Sequence, residues 1–476
     1  MKITEMHNSE ATLRYDPSKL AKYLSPIDVW AIAFGCIIGW GAFVMPGTTF
    51  LPIAGPLGTL LGISVGACIM LVIGRNYVFL MQKYPSTGGV YSYTKNAFGR
   101  DHAFLCSWFL ALSYLSIVFL NATALFVICR TLFGSLLHFG FHYSIAGYDI
   151  YMGELLLSAA ALVIVGALFI FRKPLLQYVQ TTLAVILLAG TVILFAVTLP
   201  HFKLANIFEF SANSASANIT AILVLVLLAP WAFVGFDTVP QAAEEFNFPV
   251  RRVNIIMMIA ILFGCFVYVA NNTITAAALE KWPELIINSE GTPWLLLAAA
   301  EKLLGFRGKI LIGLAVFSAV LTGILGFYMA SSRLIFSMSR DGYLPEFLGR
   351  VDKKHGTPSN AIIFCMIISL SGPVLGREAL GWFLDMSAIG ASIGYAFTCM
   401  SAIITIRRGN EHNTFLYTMA ILGTCFSFMF MFLQLIPVPG LEGVHFGKES
   451  YIMLAVWLII GFIFYVKQSK SFTEGI

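Results

Sequence analysis

An all-α membrane protein is the fold class that three observations predict. Of 476 residues, 58% are hydrophobic and only 11% charged, with a mean hydropathy of +0.84; soluble domains carry roughly 25% charged residues. The apolar residues gather into about twelve runs near the length that crosses a bilayer. Lysine and arginine fall between alternate runs, as the positive-inside rule requires. Lys83, Lys95 and Arg100, Arg172 and Lys173, Arg251 and Arg252, Arg340, Arg350, Lys353 and Lys354, then Arg407 and Arg408, share one side with the tail residues Lys2, Arg14, Lys19 and Lys22. Both termini are therefore expected in the cytoplasm. The net charge of +5 follows from topology and implies no nucleic acid partner.

The elements follow in order. Residues 1–25 are polar, without the apolar core and small-residue cleavage site of a signal peptide, and read as a cytoplasmic tail. Ser25-Pro26-Ile27-Asp28 pairs an N-cap with proline at the first helical position, which opens the first span. The runs place spans at 27–53, 57–82, 103–133, 150–171, 175–199, 219–246, 253–276, 309–339, 359–376, 380–406, 414–436 and 450–467. The connection after the seventh span is mixed in charge (Glu280, Lys281, Glu284, Glu290, Glu301, Lys302) and predicts a surface helix. The eight cysteines all lie in apolar runs with no C-x-x-C, and read as small core residues. His138 and His142 have the spacing of a zinc pair, but no nearby cysteine or second ligand set accompanies them, so no metal or cofactor is expected.

Two spans carry breaks. Gly35–Phe50 places Gly39, Gly41, Pro46 and Gly47 inside the first run, and Leu228–Asp237 places Pro230, Gly235 and Asp237 inside the sixth. Broken helix at membrane depth has to line a cavity or be covered by protein. Gly35 and Gly39 alone also fit a small-xxx-small packing face. The matching break five spans later favours a transport site. Five is odd, so a repeated five-helix unit inserts upside down the second time, as in many transporters.

The chemistry follows from the backbone. Unwinding at Gly39 and Gly41 lets a ligand approach the main chain, and the half-helix beginning near Ala42 offers free N–H groups to a carboxylate. Unpaired carbonyls at the end of the preceding half, and at Trp231, Ala232, Phe233, Val234 and Gly235, suit an ammonium. Together these sites fit the head of an α-amino acid. Trp40, Trp231, Phe233 and Phe236 adjoin the breaks as candidate closing groups, Trp231 foremost. Intramembrane ionisable residues are functional candidates by default: Asp237 first, then Glu244 and Glu245, with Arg75, Arg333 and Asp385. Glu244, Glu245 and Arg333 read as an ion-pair latch near the inner surface. Asp237 either carries a proton or caps the second half of span six. No nucleophile–base set appears, so no enzyme is expected.

These residues resemble the amino acid–polyamine–organocation transporter superfamily, in its amino acid permease branch. The likeness covers most of the chain: Gly39-Trp40-Gly41-Ala42-Phe43; Pro85-Ser86-Thr87-Gly88-Gly89-Val90-Tyr91-Ser92-Tyr93 with Phe98-Gly99; Phe233–Asp237 with Ala243-Glu244-Glu245, Pro249 and Arg251; Ser331-Ser332-Arg333; and Arg340–Pro345 with Thr357-Pro358. The resemblance implies five-plus-five inverted repeats over 26–200 and 201–408, followed by two accessory spans within 409–476. It implies a substrate carboxylate on the N–H groups of Trp40 and Gly41, an ammonium on the carbonyls of Ile37, Trp231 and Val234, and Phe327 lining the pocket. The sequence departs from the family pattern at three points. Trp40 replaces a small residue and is expected to shrink or redirect the pocket. Leu187 stands where several relatives place a lysine, and Gly323, beside Thr322, where a hydroxyl often helps bind sodium. The partners implied are an amino acid or related amine and the lipid bilayer, with a proton or an exchanged amino acid as the coupled species. Two further readings stay open: a polyamine or other organic-amine transporter of the same fold, and a transporter-like amino acid sensor.

Overall fold

The computed structural model describes residues 20, 22–145, 147–202, 210–211, 214–279, 284, 294–409, 413–441 and 444–473. Lys2, Arg14 and Lys19 of the tail, and Glu280, Lys281 and Glu290 of the long outer connection, lie outside the described residues.

Helix α1 (Pro26–Ile37) begins where the sequence places it. The Asp28 carboxylate accepts the Ser25 N–H at 3.0 Å and the Ser25 hydroxyl at 2.6 Å, and Pro26 has no N–H to leave unpaired. The helix stops at Ile37, and Ile38 is extended (φ −99°, ψ 96°). A short helix α2 (Gly41–Met45) then passes through the wider turn Pro46–Phe50 into α3 (Leu51–Lys83). Within α3, Gly55 takes φ 65° ahead of Pro56. That left-handed glycine makes the corner between the first and second crossings.

The first half continues with α4 (Val90–Phe98), α5 (Arg100–Phe133), a hairpin of β1 (His142–Ile145) and β2 (Tyr148–Tyr151), α6 (Met152–Phe171) and α7 (Lys173–Thr198). The sixth crossing is again interrupted: α8 (Ala215–Leu227), α9 (Ala229–Ala232), then a 3-10 helix over Phe236–Glu245. Next come α10 (Val253–Ala278), α11 (Leu295–Leu304), α12 (Phe306–Arg340), α13 (Ser359–Ser369), α14 (Ala379–Arg408), α15 (Thr414–Leu435) and α16 (Lys448–Thr473).

Among the described residues, ten helices are long and apolar enough to cross a membrane, with two shorter apolar ones at Pro26–Ile37 and Ser359–Leu375. The reading of about twelve crossings differs by those two. The break at Ile38 leaves α1 only 12 residues long, and α13 ends early, before the turn that leads to the 3-10 segment Pro373–Leu375. Helix α5, buried along most of its length, is the central post and packs against α12 and α14. Ile452, Ile459, Phe462 and Ile463 of α16 face outward, where hydrocarbon solvates them. The chain is a multi-span integral membrane protein.

One loop expectation changes. The helix after the seventh span exists as α11, yet Leu295, Leu296, Leu297, Ala299 and Ala300 are buried. Trp294 Nε1–H donates to the Phe43 carbonyl at 2.8 Å, so α11 covers the outer half of the first crossing. His138 and His142 both stack on the Tyr151 ring, with centroids 4.1 and 5.3 Å away.

Candidate binding site at two broken helices

The breaks touch. Gly235 has φ 134°, and a Cβ there would lie 2.6 Å from the carbonyl carbon of Cys36 and 2.7 Å from the Ile37 nitrogen. Only a glycine fits that conformation and that contact. Span six thus meets the end of α1 through bare backbone.

At the first break, the N–H groups of Gly39, Trp40 and Gly41 and the carbonyls of Cys36, Ile37 and Ile38 have no partner among the described residues. Pairing resumes with Ala42 N–H to Gly39 O at 3.3 Å. At the second break, Trp231 O accepts the Val234 N–H at 3.3 Å, which leaves the carbonyl one further lone pair. The carbonyls of Ala232, Phe233 and Val234 remain open. Asp237 is fully buried, and its carboxylate accepts the Gly235 N–H at 2.8 Å and the Tyr114 hydroxyl at 3.0 Å. This is the arrangement of a cap.

The glycines divide their work. A Cβ at Gly35 would meet the Thr322 Cβ at 2.6 Å, and Thr322 Oγ1–H donates to Gly35 O at 3.2 Å, so Gly35 serves helix packing. A Cβ at Gly39 would find only Asn121 Oδ1, at 3.7 Å. At Gly41 it would run into the far edge of the Trp231 ring, with Cζ2 2.6 Å away. Trp231 therefore lies directly over Gly41. Phe233 packs against Tyr268 at 5.9 Å, and Phe236 stacks on Tyr395 at 5.5 Å. Phe327 lies 5.8 Å from Tyr114, beside the Asp237 cap. Trp40 is half-buried against Leu120, Leu380 and Phe383 of α5 and α14.

Three polar residues at this site escaped the sequence reading. Asn121 of α5 is buried, donates Nδ2–H to Ile117 O at 3.0 Å, and leaves Oδ1 unpartnered facing Gly39. Gly323 makes room for that amide, since a Cβ there would lie 2.7 Å from Asn121 Nδ2. Tyr114 holds Asp237. From α7, Gln180 reaches α1. Gln180 Nε2–H donates to Ala31 O at 3.2 Å and lies 3.0 Å from the Cβ position of Gly35.

Below the breaks, toward the face bearing Pro26, the latch divides differently from expectation. Arg333 and Glu245 are fully buried and doubly bonded, Nε to Oε1 at 2.8 Å and Nη2 to Oε2 at 3.1 Å. Glu244 is separate and accepts the Thr87 N–H at 2.8 Å. Tyr23 and Leu24 donate their N–H groups to Glu245 O at 2.9 and 3.0 Å, so the N-terminal strand is fastened beside the latch. Arg75 pairs with Asn254, and Asp385 with Ser450, away from it.

The profile of the family described as amino acid permease matches residues 24–464, which include both breaks and the latch. The chain belongs to the amino acid permease family. It is 26% identical to the branched-chain amino acid permease of Bacillus subtilis, over 96% of this chain and 94% of that protein. It is 26% identical to the vacuolar cationic amino acid transporter 4 of Arabidopsis thaliana, over 82% of this chain but 64% of the relative. The methylthioribose transporter of Bacillus subtilis is 24% identical, over 95% and 94%. These proteins are transporters, so this family member is a permease and not an enzyme, and its relatives support amino acid transport.

Proposed function

We propose that this permease carries an α-amino acid across the cytoplasmic membrane by alternating access, with both termini in the cytoplasm. The head group binds on the backbone of the two breaks. The carboxylate takes the N–H groups of Gly39, Trp40 and Gly41. The ammonium takes the carbonyls of Ile37 and Val234 and the Oδ1 of Asn121. One observation carries this reading: unpaired donors, at the half-buried Gly39 and Trp40 and the buried Gly41, lie beside unpaired buried acceptors, where polar groups are ordinarily satisfied. Trp231 closes over Gly41 from one side, while the Arg333–Glu245 pair blocks the other. The inverted repeats 26–200 and 201–408 rock around this site. Asp237 serves as the cap of span six, and the coupled species is a proton or an exchanged amino acid.

A second reading has a specific support, since one relative is named for a cargo that is not an amino acid. A thermal-shift panel separates the two, because a ligand that binds the folded state stabilises it by mass action. The purified permease is heated with each of the amino acids, their methyl esters, the matching decarboxylated amines, polyamines and methylthioribose. The expected result is a shift from one group of free amino acids that vanishes on esterification. Equal shifts from ester and acid would replace the carboxylate site with an amine site. A shift from methylthioribose alone would discard the head-group assignment.

A further inference from the structure

The segments around Pro85–Tyr93 and Arg340–Pro345 take no part in the central site, yet they meet each other. Together with the end of the 3-10 helix in span six they enclose a cavity of about 410 Å³, within the size range of small-molecule sites. A second cavity of about 440 Å³ adjoins it, and Glu244 and Arg340 line both. This vestibule lies on the basic face, outside the buried latch.

Its charges are unequally satisfied. Lys95 Nζ–H and the Tyr91 hydroxyl are committed to Asp341, at 2.7 and 2.5 Å. Glu244 uses one oxygen for the Thr87 N–H, while its second, turned inward, has no partner. The hydroxyls of Thr87 and Ser337, in residues 5% and 6% exposed, also have none. Arg340 is exposed at the cavity mouth; among the described residues its guanidinium makes no hydrogen bond or ion pair and rests on the Phe336 ring, 5.3 Å away. Buried polar groups ordinarily find partners. The free Glu244 oxygen and the two hydroxyls, gathered around one cavity with the Arg340 charge at its mouth, point to a ligand that supplies them.

The signs select its class. An anion such as phosphate would satisfy Arg340 and the hydroxyls but would face Glu244 and Asp341. A simple amine would satisfy Glu244 and face Arg340. A small molecule with one carboxylate and one ammonium satisfies both. We propose that the vestibule is a second binding site for an amino acid zwitterion, loaded from the basic face. The carboxylate lies on Arg340, Thr87 and Ser337, and the ammonium draws the free oxygen of Glu244 into the cavity. The assignment rests on the amino acid reading of the central site. Glu244 immediately precedes Glu245 of the latch, so a molecule held here waits one residue from the gate.

The test uses glycine, which is head group alone. Ser92 lines the cavity, and Ser92→Cys in the full chain gives a thiol whose maleimide modification is followed by mass spectrometry of that peptide. Glycine at tens of millimolar is expected to slow modification about fivefold, because occupancy protects in proportion to ligand over Kd. Acetate, methylamine and phosphate should protect far less. In Ser92→Cys/Arg340→Gln, and separately in Ser92→Cys/Ser337→Ala, protection should fall below about twofold. No protection in the parent, unchanged protection in Arg340→Gln, or equal protection by phosphate would each overturn the proposal. The thermal-shift panel on Arg340→Gln reads the central site separately: an ester-sensitive shift should persist there. Loss of ester sensitivity in the parent would defeat the central reading and leave the cysteine readout standing.

Discussion

At the first break three N–H and three C=O groups between Cys36 and Gly41 have no partner among the described residues, whereas at the second the carbonyls of Ala232, Phe233 and Val234 are open but the backbone of Gly235 is tied on both sides. Its N–H goes to Asp237, and its carbonyl takes both the N–H and the hydroxyl of Thr238, at 3.0 and 2.6 Å. The glycines differ accordingly. Gly235 is needed for its own conformation and for the contact with Cys36. Gly41 lies in ordinary helix, and its missing side chain leaves space that the edge of Trp231 occupies. One glycine is built to be held, the other to be reached.

The largest effect that could break this contrast is expected at Gly235. In Gly235→Ala, a left-handed strain of about 1–3 kcal/mol adds to overpacking of about 1–3 kcal/mol against the backbone of Cys36 and Ile37. Thermal stability in detergent should collapse; a variant as stable as the parent would show that the second break is not the rigid one. Gly41→Leu should behave in the opposite way. The clash is with the Trp231 side chain and not with backbone, so the thermal midpoint should fall less than in Gly235→Ala, while uptake into proteoliposomes falls at least about tenfold by loss of the head-group contact. Normal uptake by that variant would remove Gly41 from the site.

Asp237 gives a smaller and more discriminating effect. Asp237→Ala leaves the Gly235 N–H unpaired and should cost about 1–3 kcal/mol. Asp237→Asn keeps an acceptor for that N–H, so a cap predicts near-parent stability and transport within about threefold. Abolished pH-driven accumulation in Asp237→Asn, with stability intact, would instead make Asp237 the proton carrier.

What the sequence reveals of this site is what the backbone must do. Helix-breaking glycine and proline are local signals, and they place both breaks and Asp237 correctly in the chain. Arg333 and Glu245 are legible because charge inside an apolar run demands a partner. Asn121, Tyr114 and Gln180 are not, because a single polar residue in a spanning helix carries no mark of where it points. Gln180 and Leu187 are seven residues apart, two helical turns on the same face. A polar group at one position in place of the other keeps its direction and shifts by about 10 Å along the axis. Trp40 shows the same limit: its size is plain in the sequence, its packing against α5 and α14 only in three dimensions.

The latch itself has a consequence for turnover. Arg333 and Glu245 are dry when closed, and taking charges from water largely cancels their mutual attraction. In the alternating access proposed above, opening of the basic face would lose the attraction while both ions regain hydration. A leucine contact in that place would meet water at full hydrophobic cost on every cycle. The ion pair gives a closed state of definite geometry with a small net free-energy difference from the open one. A gate of the kind proposed is better fastened by groups that water welcomes.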